Sequence, residues 1–146
     1  MIDPVRNKAI VTVPIGYNSG ALSVVLQTGH GARLPDPAVD GAFNLVWFNV
    51  TDYPDAISDP NFEIVRVTAR TVDTLTITRA QEGTLAASHN TADKAHRMKL
   101  ALTKKTLDDI RASIPIVVNA ALSGASNKVV LTTIDNANVG NITALS

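Results

Sequence analysis

Between Thr78 and His96 the chain reads TRAQEGTLAASHNTADKAH, which gathers Arg79, Glu82, His89, Asp93, Lys94 and His96 into one short stretch. These are the side-chain types of metal centres, acid–base pairs and hydrolytic triads, so each chemistry is tested by spacing. A zinc site needs imidazoles and carboxylates that converge, as in HxH, HxxxH or HExxH. His89 and His96 stand seven apart with none of these patterns, and Glu82 adds only another seven-residue step along a loop. Ser88 beside His89 lacks both a GxSxG elbow and a third, orienting carboxylate, and sequence neighbours point apart. Glu82 and Asp93 form an acid–base pair only if the loop happens to fold them together, and no feature of the sequence demands it. The stretch therefore predicts no catalytic residue, no metal and no cofactor.

Three further groupings carry residue types of chemical interest. GHGAR at 29–33 is rich in glycine but has neither the GxxxxGK[ST] phosphate cradle nor the GxGxxG turn, so no nucleotide site follows. Gly29 and Gly31 are read as turn glycines with positive φ, and His30 as exposed. Asp52, Asp55 and Asp59 in DYPDAISDPN lack the spacing, glycine and terminal glutamate of a calcium loop, so the stretch is read as an exposed acidic turn. Trp47 is read as a core or rim residue rather than a platform for a ligand.

The elements that must position these residues are constrained first by composition. The chain has 146 residues, 45% of them hydrophobic and 18% charged, which predicts a folded domain able to bury a core without metal or disulfide. Thirteen basic residues balance thirteen acidic ones, so no excess charge draws the chain to nucleic acid or to an anionic membrane. The balance hides a layout. Asp36 to Glu63 holds six acids and no base, whereas Arg66 to Arg111 holds nine of the bases, which points either to a dipolar surface or to pairing within the molecule. The absence of cysteine removes thiolate chemistry, Cys-based metal sites and disulfides. The first residues, MIDPVRNKAIVTVP, do not resemble a secretion signal, and no apolar run approaches the roughly 20 residues of a bilayer span, so a soluble chain is expected.

Periodicity then places the elements. KAIVTVP at 8–14 and ALSVVLQ at 21–27 read as two strands joined by a short loop, and GHGARLPDPAVDG at 29–41 has too many breakers for a regular element. FNLVWFNVTDY begins a strand in which Phe43, Leu45, Trp47 or its neighbour Phe48, and Val50 face a core. Five of the six aromatic residues fall between Phe43 and Phe62, so the heaviest packing is expected there. In FEIVRVTAR the apolar set is Phe62, Ile64 or Val65, and Val67, with Glu63, Arg66, Thr68 and Arg70 polar. TLTITR at 74–79 alternates strictly, and Val72-Asp73 makes the pair a hairpin. Met98, Leu100 and Leu102 favour a strand after the loop, and Leu107, Ile110 and Ile114 mark a short helix at about 103–114 entered from a Thr103 cap. The tail after Ile114 has almost no charge and no aromatics; Val117 to Leu122 and Lys128 to Ile134 read as two strands of an assembly arm. The fold class is thus mainly β: a single small antiparallel β-sandwich or barrel-like domain, one short helix and a C-terminal β arm.

The run EIVRVTARTVDTLTITRAQEGTLAASH carries a resemblance that composition does not supply. It resembles a module near the N-termini of tailed-bacteriophage virion proteins, chiefly tail-fibre and baseplate-associated ones. There a strand ending E-x-V-x-V-T leads through a turn to L-T-V-x-R, then G-Q-E-G-T-x-A-x-x-H and a strand leading to L-T-K. The match includes Glu63, Val65, Val67, Thr68, Leu75, Thr76, Arg79, Gln81, Glu82, Gly83, Thr84, Ala86, His89, Leu102, Thr103 and Lys104, and extends over about 8–110. Ala80 and Asp93 depart from it where glycine is usual, which puts the loop conformation in doubt.

The resemblance implies a structural β module at 1–112 for attachment to the particle, with 113–146 as an arm for assembly contacts. It implies no enzymatic activity. The implied partners are other virion proteins, with a homotrimer favoured over other homo-oligomers, and the implied location is the phage particle, assembled in the host cytoplasm. Within the loop it implies a structural lock of Arg79, Glu82, Gly83 and His89: Glu82 accepts from backbone N–H groups or from Arg79, and Gly83 permits the turn. Fibres usually run far longer than this chain, so a capsid decoration or head-fibre protein is the alternative. A host-glycan-binding module is a further one, and it would need Trp47 or Tyr53 exposed.

Overall fold

A computed structural model describes residues 2–89, 94–114, 116–117 and 133–134. Six strands form one antiparallel sheet: β1 (Ile10–Val13), β2 (Ser23–Val25), β3 (Phe43–Asn49), β4 (Glu63–Thr71), β5 (Thr74–Thr78) and β6 (His96–Lys99). Their order across the sheet is β1-β6-β3-β4-β5-β2. The sheet curls into a half-barrel, so the chain is mainly β as its periodicity predicts. The two end strands come close enough for Gln27 N, just beyond β2, to donate to Thr12 O at 2.9 Å.

Period-two alternation turns one set of side chains into the curl. Val11, Val13, Val24, Phe43, Leu45, Trp47, Val65, Val67, Leu75, Ile77 and Met98 fill it, with Leu26 and Leu34 closing one side. The aromatic-rich strand β3 is central, paired with β6 on one side and β4 on the other. Phe48 is buried as well as Trp47, although the pleat sends the two to opposite faces.

Several expectations are corrected here. The two strands expected at 8–14 and 21–27 form as β1 and β2, and they lie at opposite ends of the sheet, β1 paired with β6 and β2 with β5. Glu63 is not on the polar face. It shares the parity of Val65 and Val67 and lies fully buried. The β4–β5 hairpin forms, with a bulge between Val67 and Ala69 and with Val72 at φ +52° in its turn. The segment 29–41 is not wholly irregular: it contains a 3-10 turn at Gly31–Arg33 and a single helical turn, α1 (Pro37–Asp40), whose Ala38 N donates to Asp36 Oδ1 at 3.1 Å. Asp59 is buried, accepting from Asn49 N and Asn61 N at 2.8 Å each, so the acidic turn is not uniformly exposed.

The tip of the β4–β5 hairpin is fastened to that segment. Asp73 accepts from Gly29 N at 2.9 Å and from Gly31 N at 2.7 Å. Gly29 has the expected positive φ, +79°, but Gly31 is glycine for another reason: a Cβ there would lie 1.9 Å from Val72 O. His30 is buried, not exposed, and its Nδ1 accepts from Thr12 N at 2.9 Å.

After β6 comes α2 (Lys104–Ser113). Thr103 occupies the N-cap position, but its side chain makes no capping bond to the helix. Thr106 is the buried residue of α2, whereas Leu107 and Ile114 are 50% and 59% exposed, so the apolar stripe does not enter the core. In the tail, Ile116–Val117 (β7) pairs antiparallel with Thr133–Ile134 (β8); the rest of the expected arm strands, 118–122 and 128–132, lies outside the described residues.

Candidate functional site

The site is built around a carboxylate that β4 carries into the core. Glu63 Oε1 accepts from Arg79 Nε at 2.7 Å, and Oε2 accepts from Arg79 Nη2 at 2.5 Å, a two-pronged pair that matches the planar guanidinium to the carboxylate. The amide of Ala80 donates to Oε1 at 2.9 Å and that of Ala87 to Oε2 at 3.2 Å. His89 Nε2 stands 3.4 Å from Oε2, a contact that requires the Nε2–H tautomer. Burial pushes the Glu63 carboxyl up, but Arg79, His89 and the two amides outweigh it and hold it at about 2. A buried charge is tolerated only when it is paired and hydrogen-bonded in this way.

Arg79 then ties three parts of the chain together. Nη1 donates to Asn18 O at 2.9 Å and to Ala21 O at 3.3 Å, and Nη2 donates to Ala87 O at 2.6 Å. Its guanidinium carbon lies 5.2 Å from the centre of the Trp47 ring. His89 stacks on that same ring at 4.1 Å and 23°, and meets His96 edge-on at 5.5 Å. The backbones of His89 and Tyr17 exchange hydrogen bonds of 3.1 and 2.7 Å across the open side of the curl. Burial, then the neighbouring His89, depress the His96 imidazole and favour its neutral form. Trp47 Nε1 is the exception in this cluster, a buried donor with no partner among the described residues.

The loop between them is wound tightly. Ala80 and Glu82 hold left-handed conformations at φ +55° and +53°, and Gly83 follows at +83°. Ala80 thus keeps the backbone that glycine would supply more cheaply. Thr84 Oγ1 accepts from Ile64 N at 3.1 Å and donates to Gln81 O at 2.8 Å, stitching the loop to β4.

Arg79, Gly83 and His89 belong to this arrangement, and of the two partners expected for Glu82 the structure has the backbone N–H and not Arg79. Arg79 is taken by Glu63, and Glu82 points the other way. Glu82 Oε1 accepts from Asn44 Nδ2 at 2.6 Å, and Oε2 accepts from the backbone N–H of Lys105 at 3.0 Å. Glu82 therefore caps α2, the role expected of Thr103. Burial pushes its carboxyl up, but Thr103, Lys105 and Asn44 bring it below the ordinary range. Asn44 Oδ1 also accepts from Arg66, which grips Asp3 with two bonds of 2.9 and 3.1 Å, while Lys105 Nζ lies 3.3 Å from Asp3.

Sequence reasoning missed Glu63, Asn44 and Asp3. The signal for Glu63 was parity, since a strand that turns Val65 and Val67 inward also turns residue 63 inward. Of the remaining candidates, Asp93 falls outside the described residues, and no group of three or more His, Asp or Glu able to hold a metal occurs among the described ones. No described helix is long and apolar enough to cross a membrane. Part of the charge layout is internal pairing: Arg70 with Asp36, Arg79 with Glu63 and Lys94 with Asp52 join the acidic and basic stretches, and Arg66 pairs with Asp3.

Chemically, the cluster is a latch. Glu63 and Arg79 are hydrogen-bonded to one another and to the backbone, His89 reaches Glu63 through Nε2, and all three are at most 8% exposed. Compared with protein-family models and with curated proteins, the chain matches none.

Proposed function

We propose that this chain is a non-enzymatic structural part of a tailed-phage particle, an attachment domain of the tail-fibre or baseplate type that works through protein–protein contacts. The observation that carries the reading is the use made of the EGT…H stretch. The residues on which the resemblance rests, Glu63, Arg79, Gly83, Thr84 and His89, are those that fasten the loop to the half-barrel. A motif spent on internal fastening serves a scaffold. A catalytic motif would keep at least one reactive group accessible to substrate.

Immunogold labelling of purified particles with an antibody to this chain tests the reading. Label at the tail tip or fibres is the expected result. Label on the head would favour the capsid-decoration alternative, and particles without label, together with a strict monomer that does not bind them, would remove the proposal. A host-glycan role draws no support from Trp47, which is fully buried; Tyr53 is half-buried.

A further inference from the structure

The open side of the half-barrel is closed by two seams, and a histidine stands in each. At one, the backbones of Tyr17 and His89 exchange hydrogen bonds, and the His89 side chain offers Nε2 to the Glu63 carboxylate. At the other, both main-chain groups of Thr12 on β1 are held by the segment that follows β2. The Thr12 C=O accepts from Gln27 N at 2.9 Å, and the Thr12 N–H donates to His30 Nδ1 at 2.9 Å.

The two imidazoles therefore do opposite work. His89 donates to an anion, and a further proton leaves that contact in place. His30 is an acceptor. A backbone N–H can give its hydrogen to Nδ1 only while that nitrogen keeps its lone pair, which fixes His30 as the neutral Nε2–H tautomer. A proton on Nδ1 would set N–H against N–H. His30 is buried, so water replaces the lost acceptor only if the seam parts.

A second partner for the charged ring is already in place. Asp73, in the turn of the β4–β5 hairpin, accepts from the amides on both sides of His30, Gly29 N and Gly31 N, so a carboxylate flanks the imidazole. Of the other charged groups, Arg33 lies on the same 3-10 turn, Arg70 acts on Asp73 from β4, Arg97 is the cross-strand partner of Thr12 on β6, and Arg6 donates to Leu34 O at 2.8 Å. The strands β1 and β2 themselves contribute no titratable side chain. Burial first, then Arg33, depress the His30 imidazole against the pull of Asp73, which keeps the ring neutral and the seam shut at neutral pH.

We infer that His30 is an acid-operated catch: protonation moves its ring from the Thr12 amide to the Asp73 carboxylate and frees the outer edge of β1, while the Tyr17–His89 seam stays closed. The catch belongs to the domain itself, whatever the domain is attached to.

Amide hydrogen exchange of the 15N-labelled full chain, followed by NMR from about pH 8 to about pH 4.5, spans the histidine range and tests the catch. With the intrinsic pH dependence of exchange divided out, protection of the Thr12 amide should fall by up to about tenfold per pH unit below about 6.5, the limit for uptake of one proton, while the Tyr17 and His89 amides keep theirs. The His30 ring nitrogens, read on the same samples, should show Nε2 protonated and Nδ1 bare before the fall. In His30→Asn the side-chain carbonyl takes the place of Nδ1 as an acceptor that does not titrate, so Thr12 should stay protected throughout. An Nδ1–H tautomer at neutral pH, Thr12 protection that is unchanged while His30 titrates, or the same fall in His30→Asn would overturn the inference, and the first two results need no variant. Parallel losses at Tyr17 and His89 would overturn it as well, because the event would then be an unfolding of the whole sheet.

Discussion

Glu63 stays an anion in the core because the Arg79 fork, two backbone amides and His89 all reach its two oxygens. Removing one member leaves the others desolvated and unpaired. Glu63→Gln is therefore expected to cost about 3–5 kcal/mol, read as a shift in the urea midpoint at constant slope; a loss under about 1 kcal/mol would show that the pair is not what holds the loop. Ala80 gives the opposite sign. A left-handed alanine is strained by roughly 1–2 kcal/mol, and glycine gives back less than that in unfolded-chain entropy. Ala80→Gly should raise stability by about 0.5–1 kcal/mol, and a loss on the same denaturation curve would place Ala80 in a different conformation. The resemblance made position 80 readable as a glycine site, whereas periodicity, read in the wrong phase, put Glu63 on the polar face. A glutamate between apolar residues looks like the solvent phase of a strand until the bulky neighbours decide which phase is inside.

At the scale of elements, Glu82 links a loop to a helix. Its Oε2 accepts the Lys105 amide, so the carboxylate of one element caps another where Thr103 does not. Glu82→Ala should cost about 1 kcal/mol and should speed hydrogen exchange at the start of α2 while leaving β3 and β4 protected. Uniform faster exchange across the sheet would show instead that Glu82 holds the whole fold. The strands themselves were legible because alternation is a local property of the chain. Their partners were not. Pairing β1 with β6 and β2 with β5 depends on the curl of the complete sheet, and no short-range pattern around Pro14 to Ala21 encodes it. The same holds for Gly31, which is dictated by the approach of Val72 O rather than by its own turn.

For the whole molecule, the titratable groups predict how stability follows pH. His96 and His30 are held below 6.5 by burial first, so the unfolded chain takes up their protons before the folded one does. Stability is full above about 6.5 and falls as the pH drops through that value. Glu63, lowered from 4.5 to about 2, adds a second loss over that interval. Urea midpoints measured from pH 8 to pH 2 should therefore be flat and then decline in two stages, and His96→Gln should shrink the upper one. A profile that rises on acidification would contradict both shifts. The two ends of the half-barrel bear on how the chain reaches this state. Arg79 joins carbonyls 61 and 58 residues upstream, whereas the β4–β5 hairpin beside it closes over a tight turn. Contacts that close long loops carry the larger entropic cost and form late. Folding should begin at the hairpin and finish where the longest loop closes, at β1 against β6, whose partners Val13–His96 and Ile10–Lys99 lie 83 and 89 residues apart, so under a slow pull the seam beside β1 is the first to part and the last to heal.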